Sequence, residues 1–406
     1  MNRNMLKIIA LLFASLAALH AAESVSMDKL PAFSWERVPR YMHIRKDTAF
    51  TADEIRYLAS FPLVTFEKMT GSKDFGSTEE GTLVAARAVK ALNPATKILY
   101  YQNVFIQYGG YAANAALEKV PKAFLAGRDG NQKLVRGKVQ AYDLSNTKVR
   151  DWWLSSVKRV CADPAIDGLF FDGNIKVLEP DYLRNEIGEA KKAEVLKGYT
   201  VMMKDARLVL KDARRILGPE KLLVANVLRA RFPDSGMSRL SAFDGSYIEA
   251  FETSVGQMPV KDYVAKGIEA FQKAARQGYL IAFTAGLGED VSDEEAMNPQ
   301  GTDEIRKSPS DEKVTTRRFN YLLAMFLICA EKHSYFFAHD GYDAKKSKVW
   351  MSNPPEFERP LGAPMGPAVQ DGYIYTRDFA HASVRLDIEN QIGSVDWKDS
   401  EGVVQK

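Results

Sequence analysis

A chain of 406 residues, 46% hydrophobic and 26% charged, has a globular composition and is long enough for one large domain or two ordinary ones. Its net charge of +3 is small for this length and no long basic run stands out, so nucleic acid is not an expected partner. Cys161 and Cys329 are the only cysteines and both fall in apolar helical runs, which excludes a disulfide scaffold. No Cys/His cluster has zinc spacing, and no glycine-rich loop resembles a phosphate or dinucleotide cradle. Neither a metal nor an organic cofactor is therefore expected.

In chain order, Arg3 and Lys7 precede an apolar run from Ile8 to Leu19, and His20-Ala21-Ala22 follows. A charged start, an apolar middle and small residues are the anatomy of a secretory signal peptide, here residues 1–22. The apolar stretch is short for a membrane span, so the expectation is a secreted or periplasmic protein with no stable membrane insertion after cleavage.

Residues 23–348 then alternate strand-like and helix-like segments. The strand-like ones are Tyr41–Arg45, Leu63–Lys68, Lys97–Asn103, Asp167–Asp172, Leu222–Val227, Gly245–Glu249, Tyr279–Thr284 and Ser334–His339. They are short and mostly apolar, as parallel strands buried on both faces are. Among the helical stretches, Thr51–Phe61 starts on a Thr cap and Thr78–Leu92 stops at Asn93-Pro94. Thr147–Ala162 carries Trp152 and Trp153. The long region Pro180–Leu217 ends at Gly218-Pro219, and Pro259–Gln277 ends at Gly278. Ser310–Glu331 contains ten consecutive apolar residues, Tyr321–Ala330, too few for a bilayer and suited to a buried helix. Between the fifth and sixth strands there is room only for a turn or a short helix. Eight beta-alpha units in roughly 300 residues predict an α/β fold of the TIM (β/α)8 barrel type. An open doubly wound sheet would usually carry a phosphate-loop glycine pattern after its first strand, and there is none.

Two strand-to-helix loops are long, Val104–Asn146 and Leu287–Pro309, and in a barrel both belong to the carboxyl-end face, where long loops build a cleft. Asp290–Glu304 is acidic and polar and suits a rim. Residues 349–406 change character: a proline-rich connector (Pro354-Pro355, Pro360, Pro364, Pro367) leads to a hairpin with a reversal at Phe379–Ala382. This tail is too poor in apolar residues for a core of its own, so Tyr373, Tyr375, Phe379, Val384, Leu386 and Ile388 are expected to dock it on the barrel.

Two of the strands share a pattern. Asp167-Gly168-Leu169-Phe170-Phe171-Asp172 and Asp244-Gly245-Ser246-Tyr247-Ile248-Glu249 each begin with Asp-Gly and end on a carboxylate. A buried, unpaired carboxylate costs several kcal/mol, so acids at these points are not packing residues. Two acids on one face are what acid/base chemistry on a sugar linkage requires, and Asp172 and Glu249 are the candidate catalytic pair. Asp167 and Asp244, at the opposite strand ends, read as turn formers.

Around the pair, the strand ends place a polar ring, and His43, Arg45, Glu67, Tyr101, Gln102, Asn103, Asn174, Asn226, Arg229, Thr284, His339 and Asp340 are its candidate substrate-binding residues. Lys68 and Glu252 also stand at strand ends. For any single member, satisfying a buried backbone group is an equally good explanation. Asp143, before the third long helix, reads as a cap or loop-ordering residue. Tyr100, Tyr101, Phe105, Tyr108 and Tyr111 run from the third strand into its loop, where some rings could stack on pyranose faces and the rest would be core.

These segments resemble the bacterial glycoside-hydrolase-like TIM barrels called hypothetical glycosyl hydrolase family 15 and, more distantly, endo-alpha-1,4-polygalactosaminidases. The likeness is carried by Tyr142-Asp143-Leu144-Ser145-Asn146 with Val149-Arg150-Asp151-Trp152, by the two carboxylate-ending strands, and by Leu361-Gly362-Ala363-Pro364 with Tyr375-Thr376-Arg377-Asp378-Phe379. Ala382 and Asp387 depart from tails that often have Gly and Asn there. The resemblance implies hydrolysis of a poly- or oligosaccharide with Asp172 and Glu249 as the leading carboxylates. By analogy with barrel glycosidases that use an Asp on strand four as nucleophile and an acid on strand six as proton donor, Asp172 takes the first role and Glu249 the second.

Two alternatives stay open. One is a catalytically inactive carbohydrate-binding barrel, which would tie one carboxylate to Arg45, Arg229 or Lys176. The other is a polysaccharide lyase, which needs a base and a cation to neutralise a uronate; Arg45, Lys68 and Arg229 could supply the cation.

Overall fold

The computed structural model describes residues 29–217, 221–249, 251–252, 258–287, 289–290, 306–307 and 312–398, excepting the side chains of 207–217, 289–290, 306–307 and 312–315. The expected signal peptide and most of the acidic rim Asp290–Glu304 lie outside these residues. No helix among the described residues is long and apolar enough to cross a membrane.

Eight strands form one parallel sheet in sequential order: β1 (Met42–Ile44), β2 (Leu63–Phe66), β3 (Lys97–Asn103), β4 (Gly168–Asp172), β5 (Leu222–Asn226), β6 (Gly245–Ile248), β7 (Leu280–Gly286) and β8 (Ser334–His339). The ends of the sheet meet: Tyr41 N donates to Phe336 O at 2.9 Å and Phe336 N to Pro39 O at 2.8 Å. This is the predicted TIM barrel. Six long helices cover it: α1 (Ala52–Leu58), α2 (Thr78–Leu92), α3 (Thr147–Cys161), α4 (Glu189–Leu217), α5 (Val260–Arg276) and α6 (Glu312–Cys329). The cramped fifth connection holds only Met237–Leu240. The eighth unit departs from expectation, because a 3₁₀ turn at Pro355–Phe357 and no α-helix follows β8 up to residue 398.

The paired Asp-Gly steps have a structural cause beyond the turns expected of them. Asp167 accepts Ile98 N and Asp244 accepts Leu223 N, each at 2.8 Å, so each carboxylate satisfies the amide of the second residue of the preceding strand. Asp167 is also paired with Lys90 at 2.7 Å, and the buried Asp244 with the buried Lys29 at 2.7 Å. The glycine that follows lets the next strand come close: a Cβ on Gly168 would lie 2.3 Å from Leu222 O, and one on Gly245 2.2 Å from Leu280 O. The repeated dipeptide sets strand register, and register decides which side chains reach the cleft.

Residues Tyr321–Ala330 of α6 are all buried, for two reasons. One face meets the barrel through Phe326, whose ring lies 6.1 Å from Phe283 and 5.2 Å from Phe336. The other is covered by a four-stranded antiparallel sheet, β9 (Val369–Asp371), β10 (Ile374–Asp378), β11 (Ala382–Asp387) and β12 (Ile392–Trp397). β12 comes so near that a Cβ on Gly393 would sit 2.6 Å from Tyr321 Cα. The predicted hairpin is β10–β11, the middle pair. Tyr375, Phe379, Val384, Leu386 and Ile388 are buried as expected, but Tyr373 is only partly so and donates to Asp262 at 2.5 Å.

Arg377 belongs to the same docking face. It is 4% exposed and donates to the last carbonyls of α6, Leu327 O (3.1 Å) and Ala330 O, and to Glu331 (3.1 Å). Those carbonyls have no partner within the helix, so the guanidinium caps it. Arg377→Met is expected to cost about 3 kcal/mol, because it leaves two buried carbonyls without a donor and Glu331 with only its longer pairing to Arg276. Denaturant midpoints of the two proteins check this.

His333 is 6% exposed, has a backbone φ of 67°, and neither ring nitrogen has a hydrogen-bond partner among the described residues. Burial, with help from Lys332, pushes its pKa down to about 4. The unfolded chain therefore binds more protons than the folded one between about pH 6.5 and 4. Stability should fall through that window as the pH is lowered, by up to about 3 kcal/mol. His333→Asn, which tolerates the left-handed backbone, should flatten that part of the pH–stability curve. An unchanged slope would exclude His333 as its source.

Candidate active site

Strand alternation sends every second side chain into the barrel, and at the carboxyl ends these are His43 (β1), Tyr101 and Asn103 (β3), Asp172 (β4), Asn226 (β5) and, just past the strands, Glu67 and Glu249. All seven line one cleft of about 270 Å³, together with Lys68, Tyr108, Arg136, Phe170, Lys176, Arg229, Arg231, Tyr247 and Tyr342. Asp172 and Glu249 thus open into a single cavity at the carboxyl-end face.

Asp172 is positioned by β3. Tyr101 OH donates to its Oδ2 at 2.6 Å and Asn103 Nδ2 to the same oxygen at 3.3 Å, while no hydrogen bond among the described residues falls on Oδ1. Burial, reinforced by Asp172 itself, pushes the Tyr101 hydroxyl far above its ordinary pKa, so it remains a donor. Asn103 is fixed in turn: its Oδ1 accepts Phe105 N (2.9 Å) and Ile106 N (2.7 Å) at the start of the long loop. Gly173, with φ 79°, makes room for it, since a Cβ there would lie 2.4 Å from Asn103 Oδ1.

Glu249 is held from three sides. Arg229 lies 3.3 Å from Oε2, Asn226 Nδ2 donates to the same oxygen at 3.4 Å, and Tyr342 OH donates to Oε1 at 3.3 Å. Tyr342 OH and Tyr247 OH are 2.6 Å apart, and burial raises both hydroxyls far above their usual pKa. Asn226 is buried, and its Oδ1 has no partner among the described residues. His43 forms the floor, with Nδ1 3.0 Å from Tyr41 OH and its ring among those of Phe170, Tyr247 and Tyr342.

Glu67 is clasped by Arg45 (2.9 Å) and Lys68, and only Glu67 and Lys68 of these three line the cleft. Arg45 therefore acts behind the wall. Five further expected residues lie off the cleft. Gln102 sits on the outward face of β3 and accepts from Tyr100 OH at 3.1 Å, because residues adjacent to Tyr101 and Asn103 must point the other way. Asn174 is bound by Tyr199 OH of α4 at 2.7 Å. Thr284 donates to Ile248 O at 3.0 Å. His339 lies on the Tyr342 ring, 4.3 Å between centroids, and Asp340 orders its own loop through Ser347 and Lys348 N (2.8 Å). Glu252 is paired with Arg318 at 3.0 Å. Asp143 orders its loop, as expected, and ties it to α4 through Lys191 at 2.7 Å. Trp152 and Trp153 are both buried, and of the aromatic cluster only Tyr101 and Tyr108 line the cleft.

Several lining residues are not among those the sequence marks. Tyr247 could have been found, since it shares the face of Glu249 two residues on. Arg136, Arg231 and Tyr342 sit in irregular loops, where no periodicity marks them.

Among solved structures, the chain is similar to a GH36 alpha-galactosidase from Geobacillus stearothermophilus at 10% identity, with a TM-score of 0.47, over 89% of this chain and 49% of that one. The chain thus spans about half the length of that enzyme. It is similar also to a debranching enzyme from Nostoc punctiforme (11% identity, 88% and 87% covered, TM-score 0.44) and to a maltogenic alpha-amylase from Thermotoga neapolitana (10%, 89% and 86%, TM-score 0.46). No curated protein matches it. A family model for hypothetical glycosyl hydrolase family 15 matches residues 90–383, a span from α2 to β11 that includes both carboxylates and the residues that hold them. The chain belongs to hypothetical glycosyl hydrolase family 15, a family of carbohydrate-active, glycoside-hydrolase-like proteins.

Proposed function

We propose that the protein is an exported glycoside hydrolase that cleaves an O-glycosyl bond in a poly- or oligosaccharide with Asp172 and Glu249. The observation that carries this reading is that both carboxylates line one cleft, each oriented by its own set of donors. Hydrolysis of a glycosidic bond needs one carboxyl to protonate the departing oxygen and one to attack the anomeric carbon or activate a water. Tyr101 and Asn103 both donate to Oδ2 of Asp172, which orients the carboxylate and leaves Oδ1 without a hydrogen bond among the described residues. Asn226 Oδ1 offers an acceptor for a sugar hydroxyl, and the partly exposed Tyr108 offers an aromatic surface. Export rests on the charged and apolar pattern of residues 1–22, and the mature N-terminus of the secreted protein would read the cleavage point directly.

The test is to incubate the purified protein with neutral, acidic and amino-sugar polymers and to measure new reducing ends. Release from at least one class is expected. Glycan binding without release from any class would instead support the inactive binding barrel, which the Arg229–Glu249 ion pair favours because it occupies one carboxylate oxygen.

A further inference from the structure

Five cationic side chains line the cleft, Lys68, Arg136, Lys176, Arg229 and Arg231, against three carboxylates, Glu67, Asp172 and Glu249. Two of the cations are matched within the site, Lys68 by Glu67 and Arg229 by Glu249. The other three come from the loops after three neighbouring strands, β3, β4 and β5, so they gather on one wall. Arg231 is paired with Glu179 at 2.8 Å, yet its Nε is buried without a hydrogen-bond partner among the described residues. Neither Arg136 nor Lys176 makes an ion pair among the described residues. Lys176, on the short helix Asn174–Leu178 that follows β4, stands 4.6 Å over the Tyr182 ring.

Such a wall repels itself. Burial lowers the pKa of Lys176 and Arg136 and Arg231 lower it further, against Asp172 and Glu179, which raise it. Arg136 is moreover held at φ 54°, a backbone conformation unusual for a residue with a side chain, at the tip of the turn between Val135 and Val139. Packing does not require a cation at either place, because Arg136 is exposed and Lys176, though largely buried, makes no ion pair among the described residues. A negatively charged ligand group would relieve both the repulsion and the missing hydrogen bonds.

We propose that Arg136, Lys176 and Arg231 form a subsite for an anionic substituent on the sugar, a uronate carboxylate or a sulfate ester, so that the substrate is an acidic polysaccharide. This deepens the proposed function and rests on the glycan reading of the cleft. Asp172 and Glu249 stay at the reacting bond, while the cationic wall selects the charged sugar beside it.

The experiment compares acidic polymers with their own neutral forms: polygalacturonate beside its methyl ester, hyaluronan beside its carboxyl-reduced form, and carrageenan beside desulfated carrageenan. Binding by the full protein is measured by calorimetry, and products are read as reducing ends and as the ultraviolet absorbance of an unsaturated sugar. At least one acidic member should bind about tenfold or more tightly than its neutral partner, with a preference that shrinks as salt rises. A uronate-only or sulfate-only preference identifies the source. Arg136→Gly with Lys176→Met should abolish the preference. Cleavage of neutral glycans with no preference in any pair overturns the anionic subsite and leaves the hydrolase reading standing. A salt-sensitive preference with unsaturated products upholds the subsite and overturns hydrolysis in favour of elimination. Absence of binding to every polymer overturns the subsite. So does an acidic preference that survives in the double variant, and the wild-type comparison decides even if that variant does not fold.

Discussion

Asp172→Asn and Glu249→Gln should each lower turnover of the glycan that the native protein cleaves by about 10²–10⁴-fold, the range for loss of a positioned acid or base. Melting temperature should hardly move. The amide oxygen introduced at position 172 can still accept from Tyr101; at position 249 it can take the place of Oε2 toward Arg229 and Asn226 while the new NH2 donates to Tyr342 OH, so the hydrogen-bond frame survives while the charge is lost. The charge change itself has a small stability cost, because the Glu249 side chain is 28% exposed and its pairing with Arg229 is screened by water. If either variant kept near-full activity, that residue would lose its role. The anomer first released by the native protein adds a further reading: retention requires carboxyl groups about 5–5.5 Å apart and inversion about 6.5–9.5 Å.

Deleting residues 369–398 should yield insoluble or unfolded protein. Those residues bury Tyr375, Phe379, Val384, Leu386 and Ile388 against the body and cap α6 through Arg377. At about 1.5–3 kcal/mol for each large apolar side chain, the loss is on the order of 10 kcal/mol, comparable to the whole stability of an ordinary domain. It would also expose the apolar outer face of α6, a surface of the kind that drives aggregation. Soluble fraction and melting temperature of the truncated chain measure this. A truncated protein that melts like the full chain, beside a tail fragment that folds alone and binds glycan, would show residues 349–406 to be an independent module.

The barrel was legible because short apolar runs alternate with amphipathic ones, and only parallel strands covered by helices hide such runs from water. The carboxylate pair was legible for a related reason: an acid at the end of a buried strand has nowhere to go but the open face. The register signal was less complete. Gln102 and Asn103 were both expected in the cleft, but adjacent strand residues face opposite ways, and Tyr100 holds Gln102 outside. Asn174, Thr284, His339 and Asp340 are polar residues at the right ends of strands that neighbouring side chains already occupy, and composition cannot reveal such a commitment. The apolar run in α6 announced a buried helix, yet not that a four-stranded sheet rather than an eighth helix would bury its outer face.

By itself, then, the sequence determined the eight-stranded frame, the face on which its polar strand ends gather and the two acids placed there, since period-two and helical burial patterns are local properties of the chain. Only the tertiary structure decided which polar residues share the cleft and which satisfy their neighbours. It alone brought Arg136, Lys176 and Arg231 together from three loops. Loops carry no periodic burial signal, and the charge density of a wall depends on distances between segments that lie far apart in the chain.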